Sequence, residues 1–335
     1  MKKILLFIVS LLIGIGLLIW IGKVVGWQEI KDSFLVFTGW FGVIIFLLTL
    51  LIILISNWRW QEILKEEGSQ VSLKGLFPSY LGGFSVMFLA PILLWGGEIF
   101  RSYLLKRNNS ISWSKGVASV IIDRVLEWTT NLVIIFFGTL FFLFTIGSPP
   151  MKLVIIFGGV FLLFAGGISY FYLKVFKKES LAQIFFKIFN LKKMNPENSV
   201  LEIEKEIFNF FQLRKKSLWK SFGISFLRAG IMYFRVLLLI IFLGEKISAL
   251  PALSILGFTY LAAMIPIPAA LGSHEVIQTF AFNSLGLGAS TATAFTMIIR
   301  GAELILALAG VVILLKLGIN LLKNTLFNHS SHNEG

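Results

Sequence analysis

Two sets of charged residues recur along the chain at nearly equal spacing, and both lie inside apolar sequence. The first is Glu98, then Arg124 and Glu127; the second is Glu275, then Arg300 and Glu303. Glu98 to Arg124 spans 26 positions and Glu275 to Arg300 spans 25. Pro91, Gly96 and Gly97 precede the first glutamate; Pro266, Pro268 and Gly272 precede the second. Each arginine stands three residues before a glutamate, which puts the pair on one helix face. Buried arginine is costly in a bilayer, roughly 2.5–3.5 kcal/mol at the centre even on insertion scales. A set that recurs predicts an internal repeat around a functional site.

The chemistry open to such a set is recognition of an anion. A guanidinium presents a planar fork that matches a pair of phosphate oxygens, and it stays charged when buried. Arg228 and Arg235 add two more, seven residues apart and two turns along one face of a further apolar run. The plainer role for the same residues is internal ion pairing: Arg124 with Glu127 or Asp123, and Arg300 with Glu303. Glu98 and Glu275 have two readings, as partners for exposed helix ends or as groups that couple movement to a proton or ion. His274 reads as a local hydrogen-bonding residue, because Gly97 stands at the matching place in the first set.

The elements that must position these residues are membrane helices. The 335 residues are 57% hydrophobic and 14% charged, against about 45–50% and 25% in soluble domains, and mean hydropathy is +0.87. Crossing an apolar layer of about 30 Å takes roughly 20 residues. Six runs qualify, at about 4–22, 34–56, 116–146, 152–173, 221–243 and 290–316. Two more, about 76–99 and 252–288, are interrupted by glycine and proline and read as re-entrant broken-helix hairpins. Lys2 and Lys3 before the first run, with no small-residue cleavage site after it, favour an uncleaved span over a signal peptide.

Loop charge sets the orientation. With both hairpins returning to the side they entered, 22 of 30 Lys and Arg residues fall on one side and 4 on the other. The remaining four, Arg124, Arg228, Arg235 and Arg300, lie within spans. The basic side is the cytoplasmic one, so both termini are expected there, in the cell membrane. The expected fold is an all-α polytopic membrane protein with about six spans and two hairpins in an inverted repeat. It forms a single membrane domain over 1–335, with repeat one at about 34–146 and repeat two at about 221–316. A cytoplasmic connector, about 174–220, carries eleven basic residues against five acids. It holds two amphipathic helices: one through Leu181, Ile184, Phe185, Ile188 and Phe189, and one from Ser199 with Val200, Ile203, Ile207 and Phe211 inward. These either stiffen the connection or meet anionic lipid.

Composition excludes several classes. No cysteine is present, and two of three histidines, His329 and His332, lie in a polar tail, so no metal or other cofactor is expected. The net charge of +13 collects in membrane-flanking loops, which does not fit nucleic-acid binding. No hydrolytic or transferase constellation is evident. An intramembrane transferase using Asp123 and Arg124 is the residual enzymatic alternative.

The chain resembles the flippase-like integral membrane family that includes the transmembrane region of lysylphosphatidylglycerol synthase. The resemblance rests on Gly97-Glu98-Ile99-Phe100-Arg101, on Asp123-Arg124, and on Pro266-Ile267-Pro268 through Gly272, Glu275, Gly286 and Arg300. It departs at Ala269-Ala270-Leu271, where the family is glycine-rich, and at Gln278, where a repeat of Arg101 would fall. The resemblance implies transbilayer movement of an anionic phospholipid or lipid-linked precursor. No soluble aminoacyl-transferase domain is expected, because the chain ends within 20 residues of its last span. The substrate-binding set is then Glu98, Arg101, Asp123, Arg124, Glu127, Arg228, Arg235, Glu275, Arg300 and Glu303. The competing class is a non-transporting membrane scaffold for a lipid-modifying enzyme.

Overall fold

The computed structural model describes residues 39–89, 96–147, 151–180, 198–264 and 273–330. The span at 4–22, the connector helix through Leu181, and Pro91, Pro266, Pro268 and Gly272 lie outside the described residues. The described residues form ten helices with no strand among them. In chain order they are α1 (Trp40–Glu66), α2 (Leu73–Leu89), α3 (Gly96–Asn109), α4 (Trp113–Ile146) and α5 (Met151–Phe176). Then follow α6 (Asn198–Phe210), α7 (Lys216–Phe242), α8 (Ala249–Ala263), α9 (Ser273–Ser284) and α10 (Ala289–Ser330). Helices α1, α4, α5, α7 and α10 are long and apolar enough to cross a membrane.

These five helices coincide with five of the runs read from sequence, but α1 continues ten residues beyond position 56. Hydroxyls inside the apolar helices bond back along their own turn: Thr49 Oγ1 donates to the Ile45 carbonyl at 2.7 Å and Ser56 Oγ to that of Ile52 at 2.8 Å. This satisfies a polar group where water is excluded. At the start of α4, Ser112 Oγ accepts from the Lys115 amide.

The packing is the same when α1–α4 and α7–α10 are interchanged. Helix α1 lies against α7; α2 runs along α10 while α8 runs along α4; α2 pairs with α3 as α8 does with α9; α3 sits on α4 as α9 sits on α10. The two crossed contacts are close. Gly138 of α4 faces α8, where a Cβ would stand 2.7 Å from the Leu253 carbonyl oxygen, and Gly310 of α10 faces α2, where one would stand 2.5 Å from that of Leu81. Serines cross the same seams: Ser254 donates to the Gly138 carbonyl at 2.9 Å and Ser85 to that of Ala307 at 2.7 Å. Small residues and hydroxyls join helices where lipid removes the hydrophobic incentive to pair.

Helices α2 and α3 are antiparallel, and their open ends share one end of the bundle with the end of α1. Asn57 and Gln61 of α1 donate to the Leu73 and Val71 carbonyls, and Gly75 lies against Asn109. The starts of α4 and α7 reach the same end, through Lys115 to the Glu67 carbonyl and Lys215 to the Glu66 carboxylate. The connector helix α6 docks on α4 there, with Ile207 and Phe211 buried and Ser114 donating to Glu202 at 2.8 Å. Helix α5 stands at the periphery, most of its surface uncovered.

The basic end of the bundle holds one misplaced acid. Glu67, just past α1, is buried, and neither carboxylate oxygen has a hydrogen-bond partner. Burial first, then the nearby Glu206, push its carboxyl well above the ordinary 4.5, against a smaller opposing effect of Lys115. A raised folded value favours the neutral form, so this contribution to stability is full below pH 4.5 and is lost as pH rises through the raised value. Thermal melting in detergent across pH 5–9 is expected to show stability declining with pH, and Glu67→Gln is expected to flatten that slope. An unchanged slope in the variant would assign the dependence to other groups.

Candidate functional site

Glycine places the first charged set. Gly83 of α2 and Gly97 of α3 let the two backbones touch: a Cβ on Gly97 would stand 2.5 Å from the Gly83 carbonyl oxygen. The side chain of Arg101 crosses directly over Gly83, where any Cβ would overlap its Cγ. From there the guanidinium lies beside two aromatic rings, 4.1 Å from Trp60 and 4.6 Å from Tyr80, and Nη1 donates to Asp123 at 2.9 Å.

Asp123 is shared. Arg59 of α1 donates through Nε to its other oxygen at 2.7 Å, through Nη1 to Ser225 of α7 at 3.1 Å, and through Nη2 to Glu127 at 3.2 Å. Glu127 is the hub, since Arg124 reaches it at 3.1 Å and Arg228 of α7 at 2.9 Å. Arg124 also donates through Nε to Glu98 at 2.6 Å and through Nη2 to Met87 Sδ at 2.8 Å. Seven charged residues from α1, α3, α4 and α7 thus form one network, with Arg59, Arg101 and Asp123 almost fully enclosed.

The second set is sparser among the described contacts. Arg235 of α7, 2% exposed, donates to Thr49 at 3.0 Å and to Glu303 of α10 at 3.4 and 3.5 Å. Arg300 stands one turn before Glu303, and its charge is felt by His274 at the start of α9. The Glu275 side chain lies outside the described residues. Arg124 and Arg300 each stand eleven residues beyond the first residue of their helices, roughly 16 Å along them.

Of the ten residues singled out from sequence, Glu98, Arg101, Asp123, Arg124, Glu127 and Arg228 come together in the first network. Arg235 and Glu303 meet in the second. Arg124 pairs with Glu127 and Glu98, whereas Asp123 takes Arg59 and Arg101 instead. Glu303 takes Arg235.

Arg59 was missed as a site residue. It and Arg101 count as loop charges in the sequence reading, yet both are 1% exposed inside the bundle, which leaves 20 against 4 for the loop asymmetry. A signal for Arg59 was present. Arg59 and Arg235 are 176 positions apart, as are Arg124 and Arg300, and Glu127 and Glu303. The ion pairs Arg59–Glu127 and Arg235–Glu303 therefore correspond. At offsets of 177 and 176, Arg101 and Asp123 are matched by Gln278 and Ile299. The second half thus lacks both members of one ion pair; Gln278 donates instead to Thr259 at 2.8 Å.

Long apolar helices enclosing a connected set of arginines and carboxylates define a polytopic α-helical membrane protein with a buried charged centre. The chain belongs to the family described as the lysylphosphatidylglycerol synthase TM region, whose pattern matches residues 7–310. It is similar to a UPF0104 membrane protein of Pyrococcus horikoshii, 28% identical over 323 residues that cover 90% of this chain and 92% of that protein. A UPF0104 membrane protein of Methanocaldococcus jannaschii is 24% identical over 313 residues, covering 91% of each. No solved structure matches. Membership in this family of membrane domains fits a lipid-related role.

Proposed function

We propose that the chain is a lipid transporter that carries an anionic headgroup across the cell membrane by alternating access. The observation that carries this reading is the first network: four guanidiniums against three carboxylates, largely buried and spread over helices of both halves. Ion pairing alone needs no excess of arginine; an anion that visits the site does. In this reading α1–α4 and α7–α10 are inverted repeats, α2–α3 and α8–α9 are re-entrant hairpins, and the basic end faces the cytoplasm with both termini. The interchangeable packing of the two halves and the 176-residue offset support it. Arg124 and Arg300 would take the headgroup in turn, one from each leaflet.

An enzymatic reading is less well supported. Asp123 is fully buried, with each oxygen held by an arginine, which leaves the acid of the proposed transferase pair no free oxygen for a substrate. The protein is proposed to act on lipid without transforming it.

The test is translocation in reconstituted vesicles. A head-labelled anionic phospholipid placed in the inner leaflet is expected to reach an external quencher faster with protein than without, and faster than a labelled zwitterionic lipid. Retention of anionic lipid without any protein-dependent flux would replace the transporter with the scaffold for a lipid-modifying enzyme.

A further inference from the structure

Resting on the anionic-headgroup reading, we propose that the first network selects a singly charged phosphodiester headgroup and rejects headgroups that carry two or more negative charges. Arg59, Arg101, Arg124 and Arg228 face Glu98, Asp123 and Glu127, which leaves this network at net +1. Charge imbalance in a medium of low dielectric is expensive, so the occupied site is most stable when ligand and network sum to zero. One negative charge achieves this. A diphosphate overshoots, and a zwitterion leaves the excess in place.

The unpartnered atoms match that ligand. Nε and Nη2 of Arg101 and Nε of Arg228 are shut from solvent and have no acceptor. They are spare donors of the kind that the non-bridging oxygens of a phosphodiester accept. Oε2 of Glu98 is equally enclosed and has no donor. A hydroxyl on the headgroup would supply one, so a polyol phosphodiester meets both demands. Access comes from the movement of the halves that transport already requires.

The second half carries no such filter. Gln278 and Ile299 stand where Arg101 and Asp123 stand in the first, and Arg235 and Arg300 are matched in number by Glu275 and Glu303. Charge selection therefore belongs to the first half alone.

The experiment is competition on the full-length protein in detergent, read by native mass spectrometry. Equimolar phosphatidylglycerol, a polyprenyl diphosphate and phosphatidylcholine are offered together. Phosphatidylglycerol is expected to be retained at least about tenfold over either competitor, the equivalent of 1.4 kcal/mol. Soluble glycerophosphoglycerol should displace it, and doubly charged glycerol 3-phosphate should not. Glu98→Gln raises the network to +2 and should turn the preference toward the diphosphate. Arg101→Gln, which copies the second half, should abolish the preference for anions. Wild-type retention of the diphosphate at or above the level of phosphatidylglycerol would overturn charge selection yet leave the anionic site standing, as would an unchanged order in folded Glu98→Gln. Equal retention of all three lipids would overturn both. The wild-type competition decides the matter even where a variant fails to fold.

Discussion

Glu127→Gln is expected to destabilise the protein more than any other single charge-neutralising change, by about 3–5 kcal/mol, the cost of breaking a buried ion pair. Glu127 holds Arg59, Arg124 and Arg228 at 2.9–3.2 Å. Arg59 would retain Asp123 and Ser225, and Arg124 would retain Glu98. Arg228 would lose its carboxylate in an enclosed site. The matching change in the second half, Glu303→Gln, is the internal control. Glu303 is 28% exposed on its side chain, it meets one arginine rather than three among the described contacts, and its bonds to Arg235 are long, so its loss should cost less than that of Glu127. Thermal melting of both variants in one detergent checks the contrast. Equal losses would mean that Glu127 is not the hub its geometry makes it.

Arg124→Lys and Arg300→Lys are expected to leave a folded protein that has lost lipid translocation. Arg124 works as a fork, with Nε on Glu98 and Nη1 on Glu127. An ammonium keeps the charge but cannot span both carboxylates and hold a phosphate edge as well. Each charge-assisted bond lost is worth roughly 1.5–3 kcal/mol, which lowers the rate by about ten- to a hundredfold. The vesicle assay measures this, with melting temperature as the folding control. Full flux in both variants would leave these arginines as scaffold. Exchanging Arg124 with Glu127, which pairing read from sequence makes a natural control, does not separate the two readings. The exchange would place an arginine against Arg59 and Arg228, and so would fail under either.

How legible the protein was in its sequence differs residue by residue. Hydropathy located α1, α4, α5, α7 and α10, because a bilayer demands about 20 apolar residues wherever a helix crosses it. The recurring Glu, Arg and Glu were legible for the same reason: a charge inside an apolar run stands out against its neighbours. Arg124–Glu127 needed only helical spacing. Arg59 had no such contrast. It sits between Trp58 and Trp60, near Gln61 and Glu62, and this stretch reads as an aqueous boundary. Only the approach of Asp123 and Ser225 from other helices shows that it is interior. The choice of partners was likewise a tertiary matter. Asp123, Glu127 and Glu303 each had an arginine within a turn, yet Asp123 is claimed by α1 and α3, and Arg235 of α7 reaches Glu303. Sequence by itself singled out Glu98, Arg124, Glu127, Glu275, Arg300 and Glu303, because each is a charge set in an apolar run. Helix packing, set by Gly83, Gly97, Gly138 and Gly310, decided which of them meet, because ion pairs answer to distance in space and these glycines bring the helices close enough.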